Sequence, residues 1–101
     1  MAPLGLFAGV IDTSKNYEML TTTGLALDNN ESMSPDANLF IKKPVKDKGS
    51  QVWSFVDLGN DVYLILNAAS EMAIDNSGIG AREGRVIQWQ SQKNNRNHIY
   101  V

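Results

Sequence analysis

Side chains able to do covalent or acid–base chemistry are scarce in this 101-residue chain. His98 is the single histidine, and there is no cysteine. His98 sits beside a short apolar run with no nucleophile near it in sequence, so a surface or interface role is favoured over catalysis. A lone histidine among scattered carboxylates has no metal-ligand spacing. Asp75 and Glu83 can be paired on paper, but nothing in the sequence makes them face each other. Gly78-Ile79-Gly80 lacks the strand-to-helix context of a phosphate-binding loop. What remains are groups that accept, donate or stack. They are Asp28 and Asp75, each followed by Asn, then Trp89 and the run Asn94-Asn95-Arg96-Asn97, while Trp53 is expected to bury the most area of any residue. Each has a plain structural reading too: an Asp-Asn pair is ordinary turn chemistry, Trp89 can be a core or interface residue, and the Asn run can be a polar loop.

The bulk properties narrow the field further. Apolar residues make up 43% and charged residues 20%, as in folded globular chains. The net charge of −2 removes the case for nucleic acid, which needs a clustered basic face. Lys42, Lys43, Lys46 and Lys48 form one short basic cluster, interrupted by Asp47, and read as a solvated loop. No apolar run approaches the ~20 residues needed to span a bilayer. Met1 to Val10 has no positive n-region and is too short for a signal peptide, so the expectation is either an intracellular protein or a secreted one whose leader has been removed.

These groups must be held by short strands. No window of a dozen residues carries apolar positions at helical spacing. Short β-forming runs recur instead, separated by Asn, Asp, Gly and Ser: Tyr17 to Leu20, Leu25 to Leu27, Leu39 to Ile41, Gln51 to Val56, Val62 to Leu66, Met72 to Ile74, Val86 to Trp89 and His98 to Val101. Strands this short predict an all-β barrel or sandwich in a single domain spanning 1–101.

The runs also repeat. Tyr17-Glu18-Met19-Leu20 aligns with Tyr63-Leu64-Ile65-Leu66 at an offset of 46. Leu25 to Asn29 aligns with Met72 to Asn76 at 47, and Leu39-Phe40-Ile41 with Val86-Ile87-Gln88 at 47. Gln51 to Phe55 aligns with Asn97 to Val101 at 46. Repeat one covers about 15–58 and repeat two about 61–101. Phe7 and Val10 lie 46 positions before Trp53 and Val56, so Leu4 to Val10, within 1–14, reads either as the last strand of a preceding repeat or as a terminal linker.

The order of motifs resembles the ricin B-like lectin repeat: an aromatic-led strand, a Leu-Asp or Ile-Asp strand, an apolar strand ending near Trp, and Gln-x-Trp. Gln51-Val52-Trp53 is the intact Gln-x-Trp, and Asn97-His98-Ile99 is its weakened counterpart. The resemblance covers roughly 15–101 and implies a β-trefoil, in which six strands close a barrel and three hairpins cap it. The chain supplies two repeats, or two and a strand. The third is then missing or supplied by a partner chain, and a homo-oligomer is the favoured expectation.

The resemblance also implies a sugar-binding function with no cofactor and no catalysis. Asp75 would accept from sugar hydroxyls, Trp89 would be the stacking platform, and Asn94, Asn95 and Asn97 would offer amides. The ligand expected from the family is a galactose-type glycan. Strand parity places Ile87 and Trp89 on one face and Val86 and Gln88 on the other. With Val86 facing the core, Trp89 faces out and Gln88 is pushed inward, a departure from the polar residue the family often has at position 87. Repeat one keeps Asp28 but has Lys42 where the stacker belongs, so Asp28, Phe40 and Gln51 make a weaker second site. Two other functions stay open: an interaction module, of protein-partner or protease-inhibitor type, and an accessory domain of a glycoside hydrolase.

Overall fold

The computed structural model describes residues 11–76 and 86–92. Over these it is all β apart from one 3-10 turn. The strands are β1 (Asn16–Tyr17), β2 (Ala26–Asp28), β3 (Phe40–Lys42), β4 (Trp53–Gly59), β5 (Val62–Asn67), β6 (Ala73–Asp75) and β7 (Ile87–Trp89). The expected strands at Leu4 to Val10 and at His98 to Val101 lie outside the described residues, as do Asn94, Asn95 and Asn97.

Two sheets form: a five-stranded one in the order β1-β4-β5-β6-β7 and a two-stranded one of β2 and β3. All pairings are antiparallel. The longest hairpin joins the two repeats. β4 meets β5 through Asn60 and Asp61, whose φ values of 57° and 62° are the left-handed pair of a type I′ turn. That turn matches the twist of the flanking strands, so a two-residue link suffices. Leu58 is left out of the ladder between Asp57 and Gly59. The Asp57 carboxylate accepts from the Gly59 N–H at 2.7 Å and holds this bulge.

The core centres on Trp53, Ile65 and Ile74, with Met19, Leu27, Leu39 and Phe55 packed around them. Trp53 is fully buried, and its indole N–H donates to the Leu27 carbonyl at 3.1 Å. One side chain thus ties β4 to the β2–β3 hairpin by packing and by a hydrogen bond. A second apolar line runs from Tyr17 through Phe55 to Tyr63, edge to face, at centroid distances of 5.4 and 6.0 Å.

The internal repeat is visible as geometry. In repeat one Ala26 faces Lys42, Leu27 faces Ile41 and Asp28 faces Phe40. In repeat two Ala73 faces Trp89, Ile74 faces Gln88 and Asp75 faces Ile87. Adding 47 to each residue of the first hairpin gives the second, pair by pair. The change of offset from 46 to 47 falls in the turn that leads into each hairpin. Thr21 to Leu25 closes through Thr21 N–H to Leu25 O, and Asn67 to Met72 closes through Asn67 N–H to Met72 O, with one more residue.

That turn requires a left-handed residue. Repeat one places Gly24 there at φ 85°, and repeat two places Glu71 at φ 61°. A side chain in this region strains against the backbone, whereas glycine does not. Glu71→Gly is therefore expected to raise stability by about 0.5–1 kcal/mol. Thermal unfolding would read this as a rise of a few degrees in Tm, and an unchanged or lower Tm would refute the strain.

Three strand expectations shift. The first strand covers Asn16–Tyr17, and Leu20 makes only an isolated bridge to Ala26. Gln51 does not open β4 but ends the 3-10 turn Gly49–Gln51. Val86 is 49% exposed instead of facing the core. Its neighbours explain this. Residues 36–39 of repeat one run antiparallel along the free edge of β7, with Leu39 N–H donating to Val86 O and Gln88 N–H to Ala37 O. β7 is thus enclosed between β6 and this segment, and Ile87 and Gln88 are buried on opposite faces. A simple in-or-out alternation does not apply to such a strand.

Candidate functional site

Residues directly opposed across an antiparallel pair share a face, and so do residues two apart along a strand. By the observed register, Ala73, Asp75, Ile87 and Trp89 occupy one face of the β6–β7 hairpin. Asp75 and Trp89 are diagonal neighbours there, roughly 7 Å apart by ordinary sheet geometry. The structure therefore puts the proposed acceptor and the proposed platform on the same face of one rigid hairpin. Asp75 is buried and hydrogen-bonding or charge-paired, and Trp89 is half-buried. The register was readable only through the repeat; neither residue alone announces it.

The opposite face of the hairpin carries Ile74 and Gln88. Ile74 enters the core. Gln88 is fully buried, in line with the inward turn expected for it. Its side chain is held from all sides. Nε2 donates to the Ser32 and Ser34 carbonyls at 2.9 and 2.8 Å, and Oε1 accepts from Ser70 Oγ at 2.8 Å and Asn29 Nδ2 at 3.1 Å. Asn29 reaches Asn67 Oδ1 as well, at 3.1 Å, and Asn67 Nδ2 donates to Ser50 O. Asn29, Asn67 and Gln88 form a buried amide cluster joining the two repeats. Sequence reasoning missed Asn29 and Asn67 because an asparagine in a turn carries no sign of burial.

In repeat one, Asp28 and Lys42 hold the positions of Asp75 and Trp89. Here the carboxylate is bonded within repeat one. Asp28 is fully buried; one oxygen accepts from the Asn30 N–H at 2.6 Å and the other from Gln51 Nε2 at 3.0 Å. Burial alone would raise its carboxyl. The Gln51 amide, the Asn30 N–H and the nearby Lys42 charge outweigh that and hold it below the usual carboxylate range. Gln51 is itself committed, with Nε2 also donating to Lys43 O and Oε1 accepting from the Val45 N–H. Gln51 thus pins the 43–45 segment to Asp28, in keeping with a weaker site in repeat one. Phe40 is 44% exposed on the same face, but the Lys42 ammonium lies 5.8 Å from its ring centroid and donates to Asn30 Oδ1. A cation thus lies over one face of the ring.

The basic cluster is likewise only partly a solvated loop. Lys43 and Lys46 are exposed, whereas Lys48 pairs with Glu31 at 3.4 Å and lies 4.0 Å from Asp28.

The comparisons with known proteins agree with this architecture. A family profile, ricin-type beta-trefoil lectin domain-like, matches residues 13–89. That is three-quarters of the chain, and the chain belongs to this family. Among solved structures, it is similar to the designed three-fold symmetric protein ThreeFoil, at 28% identity and a TM-score of 0.77. The match covers 88% of this chain and 65% of ThreeFoil. An exo-β-1,3-galactanase from Clostridium thermocellum shares the fold, at 24% identity and a TM-score of 0.75, over 88% of this chain and 20% of the galactanase. No curated protein matches. The chain thus spans just under two-thirds of the designed trefoil and a fifth of the galactanase.

Proposed function

We propose that this chain is a carbohydrate-binding module whose working site lies on the β6–β7 hairpin. Trp89 stacks on the apolar face of a sugar ring, Asp75 accepts from its hydroxyls, and Asn94, Asn95 and Asn97 supply amides. The observation that carries this reading is the shared face of Asp75 and Trp89, in a chain of a lectin-like family. Asp28, Phe40 and Gln51 are not proposed as a second site, because Lys42 stands there at the position that Trp89 holds in repeat two, and the Gln51 amide is spent on Asp28. The module is proposed to be non-catalytic and to act as a homo-oligomer, which would offset the weakness of a single shallow site by multivalency.

The test is a titration with lactose and other galactose-family sugars, followed by calorimetry. The parent chain is expected to bind, and Trp89→Ala to bind at least about tenfold more weakly, or about 1.4 kcal/mol. Equal binding by both, or no sugar response in the parent, would sink the proposal. The likeness to one-fifth of a galactanase favours a second reading, in which the module accompanies a glycoside hydrolase and holds it to its polysaccharide. Catalytic sequence in the same gene would establish that reading.

A further inference from the structure

We infer that Gln88 is a positioning residue for Trp89, and that through it the 29–34 loop of repeat one sets the geometry of the sugar site in repeat two. The binding arm of this inference rests on the function proposed above; the geometric arm does not.

Trp89 follows Gln88 on β7, and its backbone can be no better placed than its neighbour's. Gln88 has no freedom left. Both side-chain hydrogens go to carbonyls of the repeat-one loop, Ser32 and Ser34, and its oxygen takes two donors, Asn29 from that loop and Ser70 from repeat two. The amide cannot be turned over, since that would set its oxygen against two carbonyls and its N–H groups against the Asn29 N–H. The backbone of Gln88 is also paired across the repeats, to Ala37 O and from the Asp36 N–H. The equivalent residue in repeat one is Ile41, 56% exposed, and it precedes Lys42 rather than a platform. So the repeat that keeps the Trp also has the clamp beside it. A stacking platform needs such support, because a small displacement of the ring forfeits much of its contact with a sugar.

The experiment uses the full chain labelled with 15N. Its two tryptophans give two indole N–H signals, and that of Trp53, bonded to Leu27 O, is the internal reference. Gln88→Glu keeps the shape but turns two donated bonds into carboxylate–carbonyl repulsion. We expect the Trp89 signal to shift or broaden while that of Trp53 stays, and lactose affinity to fall about tenfold below the unfolding temperature. Ser70→Ala removes one donor and is expected to give the same signature with a loss of about two- to threefold. A folded Gln88→Glu with parental Trp89 signal and parental affinity overturns the inference. If Gln88→Glu does not fold, Ser70→Ala decides on the same two readings. A parent that binds no sugar defeats the proposed function, and the indole signals then decide the positioning by themselves.

Discussion

Trp53→Ala is expected to be the most damaging single change, lowering stability by about 3–5 kcal/mol. Trp53 is fully buried, belongs to the central cluster with Ile65 and Ile74, and donates to Leu27 O across 26 positions of sequence. Truncation would leave a cavity in the core and an unpaired carbonyl in the β2 strand. Both penalties fall on the contact that fixes the β2–β3 hairpin to β4. Trp53→Phe separates the two contributions: it keeps much of the volume and loses the donor, so about 1–3 kcal/mol is expected. Denaturant unfolding would check both. A domain of this size has about 5–15 kcal/mol in total, so the alanine variant should be largely unfolded well below the parental midpoint. A loss under about 1 kcal/mol would mean that the core does not close on Trp53.

Asp28→Asn should be the second most costly. The carboxylate accepts on both oxygens, from the Asn30 N–H and from Gln51 Nε2. An amide offers one oxygen, so in either orientation an N–H faces an N–H in a buried place. A loss of about 2–3 kcal/mol is expected. The change also has a pH signature. Against the opposing effect of burial, the Gln51 amide and the Asn30 N–H hold the folded-state carboxyl of Asp28 below the usual carboxylate range. Its stabilising contribution is therefore complete above the unfolded-state pKa and is lost as pH falls through the depressed folded value. The parental chain should lose part of its stability on acidification below about pH 4, and Asp28→Asn should lack that part. Unfolding midpoints from pH 7 to 2 would measure it. Identical acid limbs in the two proteins would show that Asp28 is not held as described.

The fold was legible in this sequence because the repeat was. The offset of 47 between Asp28 and Asp75, and between Ile41 and Gln88, carries the hairpin register before any coordinates are seen, and the hairpins obey it pair by pair. Trp53 could be recognised as core from its type and its Gln-x-Trp setting. For the candidate site, the register puts Asp75 and Trp89 on one hairpin face, which the repeat makes readable. What was not legible depends on contacts between the repeats. Val86 looks like an inward residue until residues 36–39 are seen along β7. Gln51 looks like a surface amide until the 3-10 turn aims it at Asp28. Asn29 looks like a turn residue, which it is, with its Oδ1 accepting from the Glu31 N–H at 3.0 Å while its Nδ2 reaches into repeat two. Local patterns report alternation and turns; they do not report which loop will lie over which strand.

The seam between the repeats has a consequence for how the molecule comes apart. Chains built from duplicated units often unfold as a row of weakly coupled beads, each with its own stability. Here the beads share polar groups. β7 closes its free edge on residues 36–39, and each of the amides of Asn29, Asn67 and Gln88 makes at least one bond across the seam. Detaching either unit strands buried donors and acceptors in the other. The duplication is visible in the sequence and in the register, but these shared bonds couple the copies energetically: they are expected to unfold as one cooperative unit, with their amides gaining or losing exchange protection together.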